Sequence, residues 1–270
     1  MLIPSRRVAQ HDLKFASDEP GDVAYINHLF VRLVAKGKKF TKVNFQHSIF
    51  DGCYLRECTF TGCDFTGCRF MSTSFYGSTF SGCKFDYATF EKTVIADDIL
   101  EKEAPNFENL KAKFAKTLRV NYQQLGEAES VNKAIRVELQ ATGTHLYEAW
   151  HSKNTYYRNK YPGFRRVEYF GRWFWFSALD LLWGNGESAF KLVRSICCFF
   201  VVMAVYDSIK VGDPRQIVSY WRGIRVAPEV FLGVRAFPQY SYLYLTTVST
   251  ARLLSFAALM AVLLKRFSRR

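Results

Sequence analysis

Between Phe40 and Phe90 the chain reads FTKVNFQHSIFDGCYLRECTFTGCDFTGCRFMSTSFYGSTFSGCKFDYATF. Every fifth position is large and apolar: Phe40, Phe45, Phe50, Leu55, Phe60, Phe65, Phe70, Phe75, Phe80, Phe85 and Phe90, with Ile95 closing the series. Two residues ahead of each runs a register of small side chains: Val43, Ser48, Cys53, Cys58, Cys63, Cys68, Thr73, Ser78, Cys83, Ala88 and Thr93. A period of five fits neither a helix nor a strand. A short fixed repeat with one large and one small inward position marks a solenoid. If each step turns one corner of a coil, the large residue fills the axis and the small one tucks beneath the same face. Coils then stack about 4.8 Å apart, Phe over Phe.

These residues resemble the pentapeptide-repeat family, whose pattern is A(D/N)LXX with Leu or Phe at its centre. The resemblance implies a right-handed quadrilateral β-helix with four pentapeptides per coil, here about three coils over residues 38–96. The chain departs from the pattern in placing Cys where the family mostly has Ala.

Either side of the repeats the period changes. In residues 1–37, Tyr25, Ile26, Leu29, Phe30, Leu33 and Val34 follow a helical spacing that Gly37 could end, so an N-terminal helical cap on the first coil is expected. Met1 to Pro20 lacks an apolar core, which predicts no signal peptide. From 97 to 150, Leu110, Phe114, Leu118, Tyr122 and Leu125 share one helical face. Val131, Ile135, Val137 and Leu139 continue beyond Gly126, giving an α-helical hairpin. Within it Leu118, Asn121, Tyr122 and Gly126 resemble the segment that joins pentapeptide repeats to a membrane domain in some bacterial proteins.

The chain carries 37 Lys+Arg against 24 Asp+Glu. Residues 151–188 concentrate this excess among aromatics, and Arg165, Arg166, Arg172, Trp173, Trp175 and Trp183 read as membrane-interface anchors. Residues 189–270 then hold two transmembrane α-helix candidates, Leu192–Ile209 and Tyr240–Leu264, separated by a loop from Gly212 to Pro238. The alternative for the first is a buried core helix. Eight basic residues beside the first span and four in the tail, against four Arg in the loop, predict both termini in the cytoplasm of a multi-pass inner-membrane protein.

Leu179, Asp180, Leu181, Leu182, Gly184, Gly186 and Glu187 resemble the segment entering the two-span domain of pentapeptide-repeat ion-channel-like proteins. The resemblance implies a helix–pore loop–helix unit assembled as a tetramer. Tyr242 to Thr247 resemble its pore helix, but no GYGD filter follows, and potassium selectivity requires those carbonyls. A single tilted helix over Tyr240–Leu264 is preferred to a re-entrant one, because Leu253–Leu264 alone would span only about 18 Å. Arg252 then lies deep in the span. Either it lines a nonselective or anion-leaning pore with Thr246, Thr247, Ser249 and Thr250, or it pairs with Asp207 of the first span. A third reading has the span misplaced. In the first case Arg252→Glu should invert ion preference.

The expected function is an oligomeric membrane pore with a cytoplasmic sensor or assembly domain, suited to stress or phage defence. The competing class is a non-conducting, membrane-anchored scaffold that holds a protein partner on the β-helix. No catalytic motif, metal spacing or cofactor signature occurs. Cys53, Cys58, Cys63 and Cys68 lack the spacing of zinc ligands and read as core thiols. With seven basic and five acidic residues from Lys38 to Ile95, the solenoid is not acidic enough to mimic DNA. The basic, aromatic segment is assigned to lipid rather than nucleic acid.

Overall fold

The computed structural model describes residues 7–19, 21 and 23–267. Part of the signal-peptide reading, and Arg269 and Arg270 of the tail, lie outside those residues. The chain divides into two compact units, Met1–Phe170 and Gly171–Arg270.

The first unit opens with a β-solenoid of about four turns. Strands β1 (Val8–His11), β2 (His28–Val31), β5 (Ile49–Asp51), β8 (Arg69–Met71) and β10 (Thr89–Glu91) stack in parallel on one face. β3 (Val34–Lys36) pairs with β6 (Tyr54–Arg56) on a second, and β4 (Lys39–Thr41), β7 (Thr59–Thr61) and β9 (Thr79–Ser81) stack on a third. Isolated bridges Ala24–Asn44–Asp64–Lys84 mark the fourth. Phe30 stands opposite Phe50, Phe50 opposite Phe70 and Phe70 opposite Phe90, so one coil takes four five-residue steps. Ring centroids stack 4.9 Å apart for Phe40–Phe60 and 5.0 Å for Phe65–Phe85, close to the coil spacing.

The small register has a chemical reason beyond its size. Cys68 Sγ donates to the Phe45 carbonyl at 2.9 Å, Cys63 to Phe40 at 3.3 Å and Cys58 to Ala35 at 3.5 Å. Ser78 and Thr73 do the same toward Leu55 and Phe50. Each reaches the coil below and gives the carbonyl of that coil's central inward residue a partner. Thiols replace Ala here because a weak donor fits as well as a methyl. From Phe40 to Phe90, the corner residue two beyond each large side chain has positive φ. At Gly67, φ is +69°, and an added Cβ would stand 2.5 Å from the His47 ring.

The expected helical cap over 1–37 is not present. Its described part is short strands joined by turns and bridges, with no helix, and Phe15, Tyr25 and Phe30 continue the five-residue series backward. Tyr25 stacks on Phe45 at 5.6 Å. Gly37, with φ +64°, is a solenoid corner rather than a helix end. The solenoid therefore begins near residue 8, which turns three coils into about four. In that stretch the helical and five-residue registers share Tyr25 and Phe30, and stacking on the next coil decides between them.

The far end is closed by helices. After the short α1 (Ile99–Lys102), the hairpin forms as α2 (Glu108–Leu125) and α3 (Ala128–His151), joined at Gly126 in the left-handed conformation. Asn121, fully buried, accepts from Thr93 N–H and donates to Thr93 C=O, both at 2.7 Å. Thr117 and Gln124 accept from Phe90 and Lys92, and Glu103 accepts from Gly82 and Cys83. These side chains replace the coil that would come next, and Phe114 covers Phe85 and Phe90. Beyond α3, residues 151–188 hold α4 (Thr155–Lys160) and α5 (Arg165–Trp183).

The second unit contains α6 (Ala189–Lys210), α7 (Ile217–Leu232) and α8 (Tyr242–Phe267). By length and composition α6 and α8 could span a membrane. Only 17% and 11% of their apolar windows are buried, unlike helices in the core of a soluble domain. The stretch expected as a loop from Gly212 to Pro238 is largely the helix α7. Its apolar residues Ile217, Trp221, Ile224, Val226, Ala227, Val230 and Phe231 recur at helical spacing, and Pro228 does not end it.

Candidate functional site

The focus of the second unit is where α7 folds back along α6. At the turn, the Ser219 hydroxyl accepts from Asp213 N–H at 3.1 Å. One turn into α7, Gly223 lies directly on Ala204, and an added Cβ would stand 2.8 Å from the Ala204 carbonyl oxygen. At the end of α7, Phe231 packs on Phe199 and Phe200, with centroids 6.2 and 5.3 Å away. So α7 runs antiparallel to α6 for about 24 Å at 1.5 Å per residue. Gly233, left-handed at φ +81°, caps it.

The following residues return along the same path. Tyr240 lies at the far end of α6, where its hydroxyl donates to Asp207 Oδ1 at 2.6 Å. Tyr244, in the first turn of α8, stacks on Tyr206 at 4.0 Å. α8 then runs back the length of α6, and Lys265 Nζ reaches Glu187 at 3.2 Å. The order is long helix, shorter helix folded back, irregular return segment of residues 233–241, long helix.

Asp207 holds this together. It is 2% exposed, and its second oxygen accepts from Arg222 of α7 at 3.3 Å. A buried carboxylate is tolerable only with such partners. Pairing of Asp207 with Arg252 was one of the alternatives for Arg252; the structure gives Asp207 Arg222 and Tyr240 instead. Arg252 has its guanidinium against Gly233, at the C-terminal end of α7, where carbonyl groups point outward. A cation is favoured there by the helix dipole.

The expected pore-lining set is divided. Val248 and Arg252 sit on the packed face of α8, while Thr246, Thr247 and Thr250 lie exposed, the first and last nearly opposite. Those three hydroxyls donate to carbonyls four residues back, at 2.8, 2.8 and 2.9 Å. Ser249 is half-buried between them. One α-helix cannot turn residues 246, 250 and 252 to a common side. The single long helix expected over Tyr240–Leu264 is present as α8, so the folded-back element is α7, earlier in the chain.

Arg222, Arg225, Gly233 and Tyr240 were not singled out from the sequence. Their signal is the helical recurrence of apolar residues between Pro214 and Gly233, easily lost among three arginines. Of the expected anchors, Arg165, Arg166, Arg172, Trp173, Trp175 and Trp183 all lie on α5, which buries no residue fully. Trp175 is 65% exposed. Arg166 donates to the Trp150 carbonyl.

Among the described residues, no three His, Cys, Asp or Glu side chains group as a metal site. On the solenoid, Arg56 lies over the rings of Tyr54 and Tyr76, at 4.8 and 5.0 Å, forming an exposed aromatic and basic strip.

The five-residue register, the axial Phe stacks and the four-sided coil define the first unit as a pentapeptide-type β-solenoid. A family model described as pentapeptide repeats (9 copies) matches residues 45–98, so the N-terminal region carries pentapeptide repeats. Two solved structures of trypsin-treated variants of QnrB1, a plasmid-mediated fluoroquinolone resistance protein, also match. One is 18% identical over 33% of this chain and 52% of that chain, with a TM-score of 0.18. The other is 16% identical over 34% and 62%, with a TM-score of 0.13. The chain thus spans less than two thirds of the length of either. At such scores the fold assignment rests on the repeat register. No curated protein matches the chain.

Proposed function

We propose that copies of this chain assemble in a bacterial inner membrane around a pore, with the repeat solenoid as a cytoplasmic sensor or assembly platform. One observation carries the reading: α7 and residues 233–241 enter and leave alongside α6 without crossing its length, between two helices of spanning length. Non-helical backbone at membrane depth is tolerated only where protein or water lines it. One chain with two spans cannot enclose water, so the return segment needs copies of itself around it. A fourfold ring accords with the channel-like proteins that the Leu179–Glu187 segment resembles.

Arg225 is exposed on α7 and, among the described residues, has no carboxylate partner. Together with Arg252 at the end of α7 it favours anions over cations. Both termini are assigned to the cytoplasm, because basic residues flank α6 and follow α8.

The test is reconstitution of the full chain in liposomes, with halide and potassium flux recorded. Flux with halide preference is expected, and Arg225→Glu should reverse that preference. Absence of any flux from well-folded, membrane-inserted protein would overturn the pore. The second reading, a non-conducting scaffold, is favoured by the strip of Tyr54, Arg56 and Tyr76 on the solenoid. Stable capture of a protein partner that Tyr76→Ala abolishes, without conductance, would establish it.

A further inference from the structure

In the first unit, three tyrosines close around one histidine. His145 stands in the C-terminal half of α3. Tyr157 of α4, Tyr161 just past it and Tyr169 near the start of α5 bring their rings to 6.0, 6.0 and 6.3 Å from the imidazole. Tyr161 and Tyr169 are 4.3 Å apart in turn. Tyr157 and Tyr161 are buried, and Ala149, one turn beyond His145, is buried with them. Residues four apart share a helix face, so 145 and 149 on one side meet 157 and 161 on the other. This cluster docks α4 on α3, and Tyr169 joins the start of α5 to it. Two further ties lie outside it: Tyr156 against Phe107 at 5.2 Å, and Arg166 donating to the Trp150 carbonyl.

The imidazole suits this place only without charge. Nε2 lies 3.4 Å from the Tyr161 hydroxyl, whereas Nδ1 is buried and has no hydrogen-bond partner. A neutral ring can leave one nitrogen bare. A protonated ring carries N–H on both, so Nδ1 becomes a charged donor shut away from any acceptor, which is costly. The surrounding charges give no relief. Lys160 of α4 repels an imidazolium. Glu148 of α3 and Glu108 of α2 act on Tyr157 instead. The first turn of α5 brings Arg165, Arg166 and Glu168. Among the described residues no carboxylate forms an ion pair with His145. Burial first, and then the Lys160 charge, hold the imidazole below the ordinary histidine range.

We infer that His145 is an acid-released latch: uncharged, it holds α4 and the start of α5 on α3, and charged, it frees them. The chain runs from the repeats to α6 through these two helices, so acid acts on the connection itself. A released imidazole takes its proton near pH ~6.5, and the docked one only at lower pH. Docking is therefore fully stabilised above about pH 6.5 and weakens as the pH falls toward the lowered value. Over that interval the released fraction rises by up to about tenfold per pH unit. The latch stands without the pore.

The test is hydrogen exchange of the full chain in detergent at about pH 7.5 and 5.5, either side of the histidine range and corrected for the intrinsic effect of pH. The amides of Arg158 and Tyr161, bonded to the Asn154 and Tyr157 carbonyls, should open severalfold more readily at the lower pH, while α2 keeps its protection. His145→Phe keeps a ring among the tyrosines but takes no proton, so its α4 should open equally at both. In histidine-labelled, unaltered protein the carbon-13 signal of His145 should titrate below about 6.5. Equal opening of α4 at both pH values in the unaltered chain would overturn the latch, as would acid loosening that persists in His145→Phe. Loosening of α2 to the same extent as α4 would show general acid unfolding and overturn it too. Should His145→Phe fail to fold, the titration decides alone: a value at or above about 6.5 refutes the inference.

Discussion

Gly223 offers a direct test of the packing that folds α7 back on α6. A methyl group at this position would stand 2.8 Å from the Ala204 carbonyl oxygen, 2.9 Å from its Cα and 3.0 Å from its Cβ. Two of these are backbone atoms of a helix and cannot swing aside. Optimal carbon contacts lie at about 3.5–4.0 Å, so α7 must retreat by about 0.6 Å or more. Overpacking of this kind costs about 1–3 kcal/mol. The retreat also loosens the 3.3 Å contact of Arg222 with Asp207 and the packing of Phe231 on Phe200. Gly223→Ala is therefore expected to unfold at least about 4 °C lower, taking about 4–8 °C per kcal/mol for a unit of this size. Gly223→Leu should fall further. The assay is thermal unfolding of the full chain in detergent, followed by the fluorescence of Trp221 and its fellow tryptophans. Gly171→Ala is the control: an added Cβ there meets nothing within 4 Å, and alanine favours a helix. If Gly223→Ala melts together with Gly171→Ala, α7 does not pack on Ala204, and the folded-back arrangement is wrong.

Other outcomes follow from the same geometry. Asn121→Ala removes both bonds to Thr93 and leaves a buried N–H and C=O unpaired, at about 1–3 kcal/mol each. Urea unfolding should show a loss of about 2–4 kcal/mol, and hydrogen exchange should quicken first at Phe90–Thr93; an unchanged midpoint would refute the capping role. Burial pushes the Cys53 thiol up to about 11, and Cys68 higher still by the same cause. The five solenoid thiols, all buried, should thus stay unalkylated in native protein and react once it is unfolded in urea, as peptide mapping will read. Because these folded pKa values exceed the unfolded one, the neutral thiols contribute stability below about pH 8.5, lost as pH climbs through 11. Urea midpoints should be level from about pH 6 to 8 and fall above about pH 9; a rise over that upper range would contradict this. Asp207→Ala strands the Tyr240 hydroxyl and the Arg222 guanidinium, so it should destabilise the second unit by about 2–4 kcal/mol, Arg222 being half exposed. Tyr240→Phe, which removes only one donor, should cost less than half of that, and a larger effect than Asp207→Ala would place the anchor elsewhere.

The repeats were legible because their period is a direct steric code. Each large residue meets another large residue one coil away, in most cases Phe on Phe, so spacing and contact are the same information. The hairpin was legible as well, and Asn121 and Tyr122 stood out in it. Their task was not, because an asparagine that caps Thr93 looks in sequence like any buried polar residue. The first 37 residues misled for a related reason. Tyr25 and Phe30 satisfy a helical and a five-residue register at once, and only stacking on Phe45 and Phe50 separates them. In the second unit the span-length helices were visible as apolar runs. The helix between them was masked by Arg215, Arg222, Arg225 and Pro228.

From residue order alone came the coil of five-residue steps, the closing hairpin and two helices greasy enough for a bilayer. Each depends on neighbours at fixed sequence distance, which a period records. Tertiary contact decided the rest: that Asp207 takes Arg222 and Tyr240 rather than Arg252, that α7 turns back upon Ala204, and that α8 packs its Val248 face and leaves Thr246 and Thr250 exposed. Those outcomes depend on which helix faces meet. A buried carboxylate bonds whichever donors the packing brings within about 3 Å, and no spacing along the chain specifies that choice.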